Sequence, residues 1–136
     1  MTLTDAGPLI ALIDADEPDH VRCRDALDEL PFPLLTTWPA FTEAMHLFGR
    51  AAGWRAQQAL WRLVSREDLL IDPLSPEATA RAAHLMETYA DRPMDLADAT
   101  LVALAEERGL TRVFTLDSDF QIYKLRGRRH FDVVPG

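Results

Sequence analysis

The feature that most constrains the fold is the alternation of short strand-like runs with longer helical patterns. "TLT" (Thr2 to Thr4), "PLLTT" (Pro33 to Thr37), "LLI" (Leu69 to Ile71), "RVFTL" (Arg112 to Leu116) and "FDVV" (Phe131 to Val134) read as strands. Helical patterns stand between them. "GPLIALID" has Pro8 suited to a first turn, and "PDHVRCRDALDEL" places Val21, Ala26, Leu27 and Leu30 near one face. "WPAFTEAMHLFG" can be capped by Thr37, with Pro39 in the first turn. "WRAQQALWRLVSRED" is amphipathic, and "SPEATARAAHLMETYA" opens on Ser75, Pro76 and Glu77, a good start signal. The last helix runs from Met94 to Ala105, is apolar almost all round, and stops at Gly109.

Strands joined through helices require crossovers, which are right-handed and build a mostly parallel sheet. Such a sheet is covered on both faces, so the expected fold is an α/β/α sandwich. The 136 residues fit one domain, spanning residues 1–136. Ligands of open α/β sheets bind beyond the carboxyl ends of the strands. Chemistry is therefore expected at that edge.

Carboxylates gather there. "TLT" runs into Asp5, and "RVFTL" runs into Asp117, with Asp119 two residues on. Glu43 lies one to two turns into the helix after "PLLTT", and Asp98 one turn into the helix after Pro93. Each has a plainer explanation. Asp5 can cap the next helix, Asp117 can hold the turn in "LDSD", and Glu43 can face water. Asp98 is hardest to explain that way, because Met94, Leu101 and Val102 surround it at helical spacing. A buried carboxylate needs a partner. Clustered carboxylates repel one another unless a cation joins them, and an oxygen-only set suits Mg²⁺ or Mn²⁺. One or two such ions can activate water against a phosphodiester.

Other chemistries find no support. The four histidines (His20, His46, His84, His130) lack zinc spacing, and no phosphate-binding glycine loop or nucleophile elbow occurs. No apolar run reaches the length of a membrane span, and no signal peptide is visible. A single cysteine, Cys23, suits a reducing cytoplasm and reads as a small core residue. The net charge of −8 argues against a general nucleic-acid binder.

Four segments, in this order, resemble the PIN-domain family, and within it the VapC-like toxins of bacterial toxin–antitoxin pairs: "TDAGPLIALID", "LLTTWPAFTEAMHL", "MDLADATLVALAEERG" and "VFTLDSDF". The resemblance covers essentially the whole chain. It implies a PIN-like fold, an acidic cluster binding Mg²⁺ or Mn²⁺, and endoribonuclease activity in the cytoplasm. By position it implies Asp5, Glu43 and Asp98 as the first three family acids, and Asp117 as the fourth, with Asp119 the alternative. Thr115 and Asp95 would support them. It further implies a homodimer and a cognate antitoxin that blocks the site. A catalytically silent binding module and a ribonuclease without an antitoxin are the competing readings.

Substrate or partner contacts have two candidate patches. Arg55, Arg62 and Arg66 share one helical face, and Arg126, Arg128 and Arg129 form a basic run. Trp54 and Trp61, seven residues apart, also share a face, which suits either core packing or a groove for a partner helix.

Overall fold

A computed structural model describes residues 1–136. Its elements run β1 (Thr2–Thr4), α1 (Ala6–Ile13), α2 (His20–Leu27), β2 (Leu34–Thr37), α3 (Trp38–Ala52) and α4 (Trp54–Ser65). They continue with β3 (Leu69–Asp72), α5 (Pro76–Thr88), α6 (Leu96–Arg108) and β4 (Arg112–Phe114). A 3₁₀ turn (Ser118–Gln121), the strands β5 (Lys124–Leu125) and β6 (Arg129–His130), and β7 (Asp132–Val134) complete the chain.

Five strands form one sheet in the order β3-β2-β1-β4-β7. All of its pairings are parallel, with Leu3 opposite both Leu35 and Val113. Successive strand residues point to opposite faces. Leu3, Leu35 and Val113 therefore join a core with α5 and α6, while Leu34, Leu69 and Phe114 join one with α1 to α4. This is the α/β sandwich expected from the sequence. The order reverses at β1, because β2 and β3 extend the sheet one way and β4 and β7 the other. The gap between the carboxyl ends of β1 and β4 is thus the switch point where such sheets bind ligands.

Helix starts follow the sequence signals. Thr37 accepts from the Ala40 N–H, Ser75 from the Ala78 N–H, and Asp95 from the Asp98 N–H. Helix α6 ends at Gly109, whose φ of 68° is left-handed and costs glycine little. Its all-round apolar character has a cause: α6 lies between the sheet and α5, and every residue from Ala97 to Ala105 is buried.

One local expectation fails, and the fold decides two features that the sequence left open. Val21 is exposed, and Cys23 takes the inward position of α2 instead. Trp54 and Trp61 are exposed, so they are not core residues. The basic run from Lys124 to His130 folds into the antiparallel β5–β6 pair. Strands of two residues are too short for periodicity to reveal them.

Candidate metal centre

Asp5 follows β1 directly and caps α1, its Oδ1 accepting from the Ala6 N–H at 2.8 Å. Its Oδ2 accepts from Thr115 Oγ1 at 2.8 Å, reaching across from the end of β4. The same Thr115 oxygen accepts from the Asp117 N–H at 3.0 Å. One hydroxyl therefore fixes Asp5 and the backbone of Asp117 together. Asp117 also accepts from the Asp119 N–H through Oδ1 at 2.9 Å, which starts the 3₁₀ turn. Capping and turn roles at Asp5 and Asp117 thus coexist with a place in the cluster.

Asp98 enters from the opposite side, one turn into α6. It is 5% exposed, and Asp5 is 7% exposed. Asp98 Oδ2 accepts from the Tyr123 hydroxyl at 2.9 Å. Tyr123 is fully buried and meets Phe120 and Tyr89 edge-on. A buried tyrosine hydroxyl needs a partner, and so does a buried carboxylate.

The carboxylate oxygens of Asp5, Asp98 and Asp117 lie within 4.8 Å of one another. Glu43, half-buried on α3, lies near enough for its charge to act on the group, as does Asp95 at the start of α6. Asp119 lies outside the trio. Of the basic residues, Arg126 is tied to α6 by its N–H to Glu106 and by Nη2 to the Glu106 carbonyl at 3.0 Å. Glu106 is eight residues beyond Asp98, about 12 Å along the helix axis. Arg128 and Arg129 share a surface cavity with Arg126 there, away from the acids. Arg55, Arg62 and Arg66 are exposed and form no ion pair. Arg22 lines a small cavity with Thr115 and Asp117, but its guanidinium is engaged by Asp19 at 3.4 Å and by the carbonyl oxygens of Pro135 and Gly136. Neither Arg22 nor Tyr123 carries a sequence signal. Their spacing from the acids is set by the fold alone.

Electrostatics show how costly the cluster is. Burial above all, then the charges of Asp5 and Asp95, pushes the Asp98 carboxyl up to about 8, although the Tyr123 hydroxyl opposes the shift. Burial likewise raises Asp5 against the pull of Thr115 and the Ala6 N–H. Glu43 is raised by burial and by Asp5, Asp95 and Asp117. No lysine or arginine forms an ion pair with any of these acids. Without a cation these raised carboxyls relieve the repulsion by holding protons, and the all-oxygen donor set also fits a hard divalent cation.

The PIN domain family model matches residues 2–125. Ribonuclease VapC26 of Mycobacterium tuberculosis is 26% identical over 134 residues, which is 98% of this chain and 99% of the relative. The crystal structure of M. tuberculosis VapC20, described as a Sarcin-Ricin loop cleaving toxin, superposes with a TM-score of 0.83 at 18% identity, covering 99% of this chain and 100% of that one. A toxin-antitoxin complex from Klebsiella pneumoniae gives a TM-score of 0.68 at 21% identity, over 88% of this chain and 90% of that one. FitAcB from Neisseria gonorrhoeae gives 0.61 at 17% identity, over 87% and 88%. A parallel sheet with its acids at the switch point, a family match over residues 2–125, full-length similarity to a ribonuclease VapC26 and the shared fold of VapC20 agree: this chain belongs to the PIN domain family and is VapC-like.

Proposed function

We propose that the protein is a Mg²⁺- or Mn²⁺-dependent endoribonuclease, the toxin of a toxin–antitoxin pair. The observation that carries this reading is the trio Asp5, Asp98 and Asp117, three carboxylates within 4.8 Å and without a cationic side chain among them. The full-length similarity to a protein named ribonuclease VapC26 supports RNA as the substrate.

Asp5, Asp98 and Asp117 would hold the cation, with Glu43 completing the acidic rim. The bound cation would lower the pKa of water and neutralise charge on the phosphodiester. The chain's own residues do the rest. Thr115 holds Asp5 Oδ2 and the Asp117 N–H, and Tyr123 holds Asp98 Oδ2. Asp95 fixes the first turn of α6 by accepting the Asp98 N–H. These contacts keep the donor oxygens converged before substrate arrives, which is where preorganisation lowers the barrier. The half-buried Glu43 would help hold the cation and orient the attacking water.

Partners follow from the same reading. The likeness to a solved toxin-antitoxin complex supports an antitoxin partner, which would cover the acids of a cytoplasmic homodimer. No helix is long and apolar enough to cross a membrane. The exposed Trp54 and Trp61, with Arg55 and Arg62 on the same helix, offer a mixed apolar and basic face for a partner. RNA cleavage measured with Mg²⁺, with EDTA, and with Asp5→Asn and Asp98→Asn tests the activity. Cleavage that needs the metal and is lost in both variants is expected. Full cleavage by both variants would overturn the assignment. A short reading frame for a DNA-binding protein beside the gene separates a toxin from a ribonuclease that acts alone.

A further inference from the structure

The acidic cluster has two flanks of different chemistry. On the Asp117 side, a cavity of about 180 Å³ is lined by Arg22, Ser118 and Gln121 as well as Thr115 and Asp117. On the Glu43 side, an open groove of about 560 Å³ runs between the starts of α3 and α6. Its walls include Trp38, His46 and Leu96, together with Glu43 and Asp95, and no lysine or arginine. Glu43 and Asp95 also bear on the acid trio. Whatever occupies the groove therefore lies directly beside it.

The groove presents unusual apolar surface for a position this close to charge. Trp38 is 47% exposed and Leu96 is 53% exposed. Trp38 is the first residue of α3, so the carboxyl end of β2 delivers it to the same edge as the acids. Its ring stands edge-on to the buried Phe41, with centroids 6.0 Å apart and planes at 81°. Phe41 in turn meets Trp61 at 5.1 Å. The indole is thus held from behind by packed aromatic rings while one side stays open.

Charge decides what can lie there. The carboxylates of Glu43 and Asp95 repel a phosphate, and the groove holds no lysine or arginine to offset them. A flat, neutral group with N–H donors on its edge suits an aromatic face beside carboxylate acceptors. Unpaired nucleobases have this chemistry, and single-stranded nucleic acids are held by stacking on such side chains. We infer that Trp38 and Leu96 form a shelf on which the RNA substrate stacks the unpaired base next to the bond that is cut. This rests on the ribonuclease reading above, and it adds the position of the substrate relative to the acids.

The test uses an unstructured RNA oligonucleotide of about ten nucleotides. The cut is mapped, and abasic versions are then made at each position flanking it. Trp38→Ala is expected to lower kcat/KM by about 10- to 100-fold, the usual worth of one stacked base. Trp38→Phe should recover most of the loss. The abasic substitution at one flanking position should cost the wild type a similar factor and add little to Trp38→Ala, as two changes at one contact do. The Mn²⁺ affinity of Trp38→Ala should match the wild type, which separates stacking from damage to the site, while loss of the Phe41 contact lowers its melting temperature by a few degrees. Wild-type kcat/KM in Trp38→Ala, or an equal abasic penalty in both proteins, would overturn the shelf while leaving the nuclease intact. Sedimentation in which a dimer of the free protein is lost in Trp38→Ala would also overturn it, because a second copy would then cover the groove. Absence of any wild-type cleavage would instead strike the nuclease reading itself.

Discussion

Thr115 Oγ1 donates to Asp5 Oδ2 at 2.8 Å and accepts the Asp117 N–H at 3.0 Å, joining the ends of β1 and β4 across the sheet's switch point. Two acids 112 positions apart in sequence are thereby held by one buried hydroxyl. Thr115→Val keeps the shape but removes both bonds. Metal affinity or cleavage should fall on the order of 10- to 100-fold, the usual effect of removing a group that orients a ligand. Thr115→Ser should stay close to wild type. Mn²⁺ titration calorimetry on the two variants checks this, and equal affinities would contradict it.

Tyr123 makes a second prediction. Tyr123→Phe leaves the aromatic packing in place and removes only the donor to Asp98. That hydrogen bond favours the charged carboxylate, so its loss should raise the Asp98 pKa further. Mn²⁺ affinity near neutral pH should drop by roughly tenfold, and less at higher pH where Asp98 ionises anyway. Titrations at two pH values would show this convergence, and an unchanged affinity at both would contradict it.

Stability of the metal-free protein should depend on pH with a definite sign. The Asp98 pKa rises from 3.8 to about 8 on folding, so between these values the folded state binds the proton more tightly than the unfolded chain. Its contribution is therefore complete below the unfolded value and is lost as pH rises through the folded value. With EDTA present, the melting temperature should fall by about 5 °C or more from the acidic to the basic side of that window. Asp98→Asn should flatten the slope. A wild-type melting temperature that rises across the same window would contradict the account.

The Arg81–Glu106–Arg126 clasp should matter for stability and not for chemistry. Arg81 Nε and Nη2 donate to Glu106 at 2.7 and 3.2 Å, and Arg126 adds its N–H to the same carboxylate. Burial would raise Glu106, but these partners outweigh it and hold the carboxyl below its usual value. Its contribution is therefore present above the ordinary glutamate range and lost as pH falls. Glu106→Gln should cost about 1 to 2 kcal/mol in urea unfolding at neutral pH. RNA cleavage should be unchanged, because the clasp is about 12 Å along α6 from Asp98.

Much of this was legible before folding, for physical reasons. Crossover helices between short strands force a parallel sheet, and caps such as Thr37, Ser75 and Asp95 carry their own chemistry in the sequence. Asp98 could be singled out because apolar neighbours at helical spacing leave a carboxylate nowhere to go. Geometry beyond one element was not legible. Tyr123 reaches Asp98 across 25 positions, and Arg22 reaches the Asp117 cavity from α2, through packing that no local pattern encodes. The tryptophans stayed ambiguous because indole is large and apolar whether it fills a core or waits for a partner. Arg126 looked available because its charge is visible in the sequence and its clasp with Glu106 is not.

The central claim is that Asp5, Asp98 and Asp117 are arranged for a cation that the chain itself does not supply. Melting of the wild type and Asp98→Asn, each with EDTA and with saturating Mn²⁺, tests it most directly. The account predicts that Mn²⁺ raises the wild-type melting temperature, that Asp98→Asn in EDTA melts above the wild type in EDTA, and that Mn²⁺ adds little to the variant. An Asp98→Asn protein that melts below the metal-free wild type and gains as much from Mn²⁺ would contradict it.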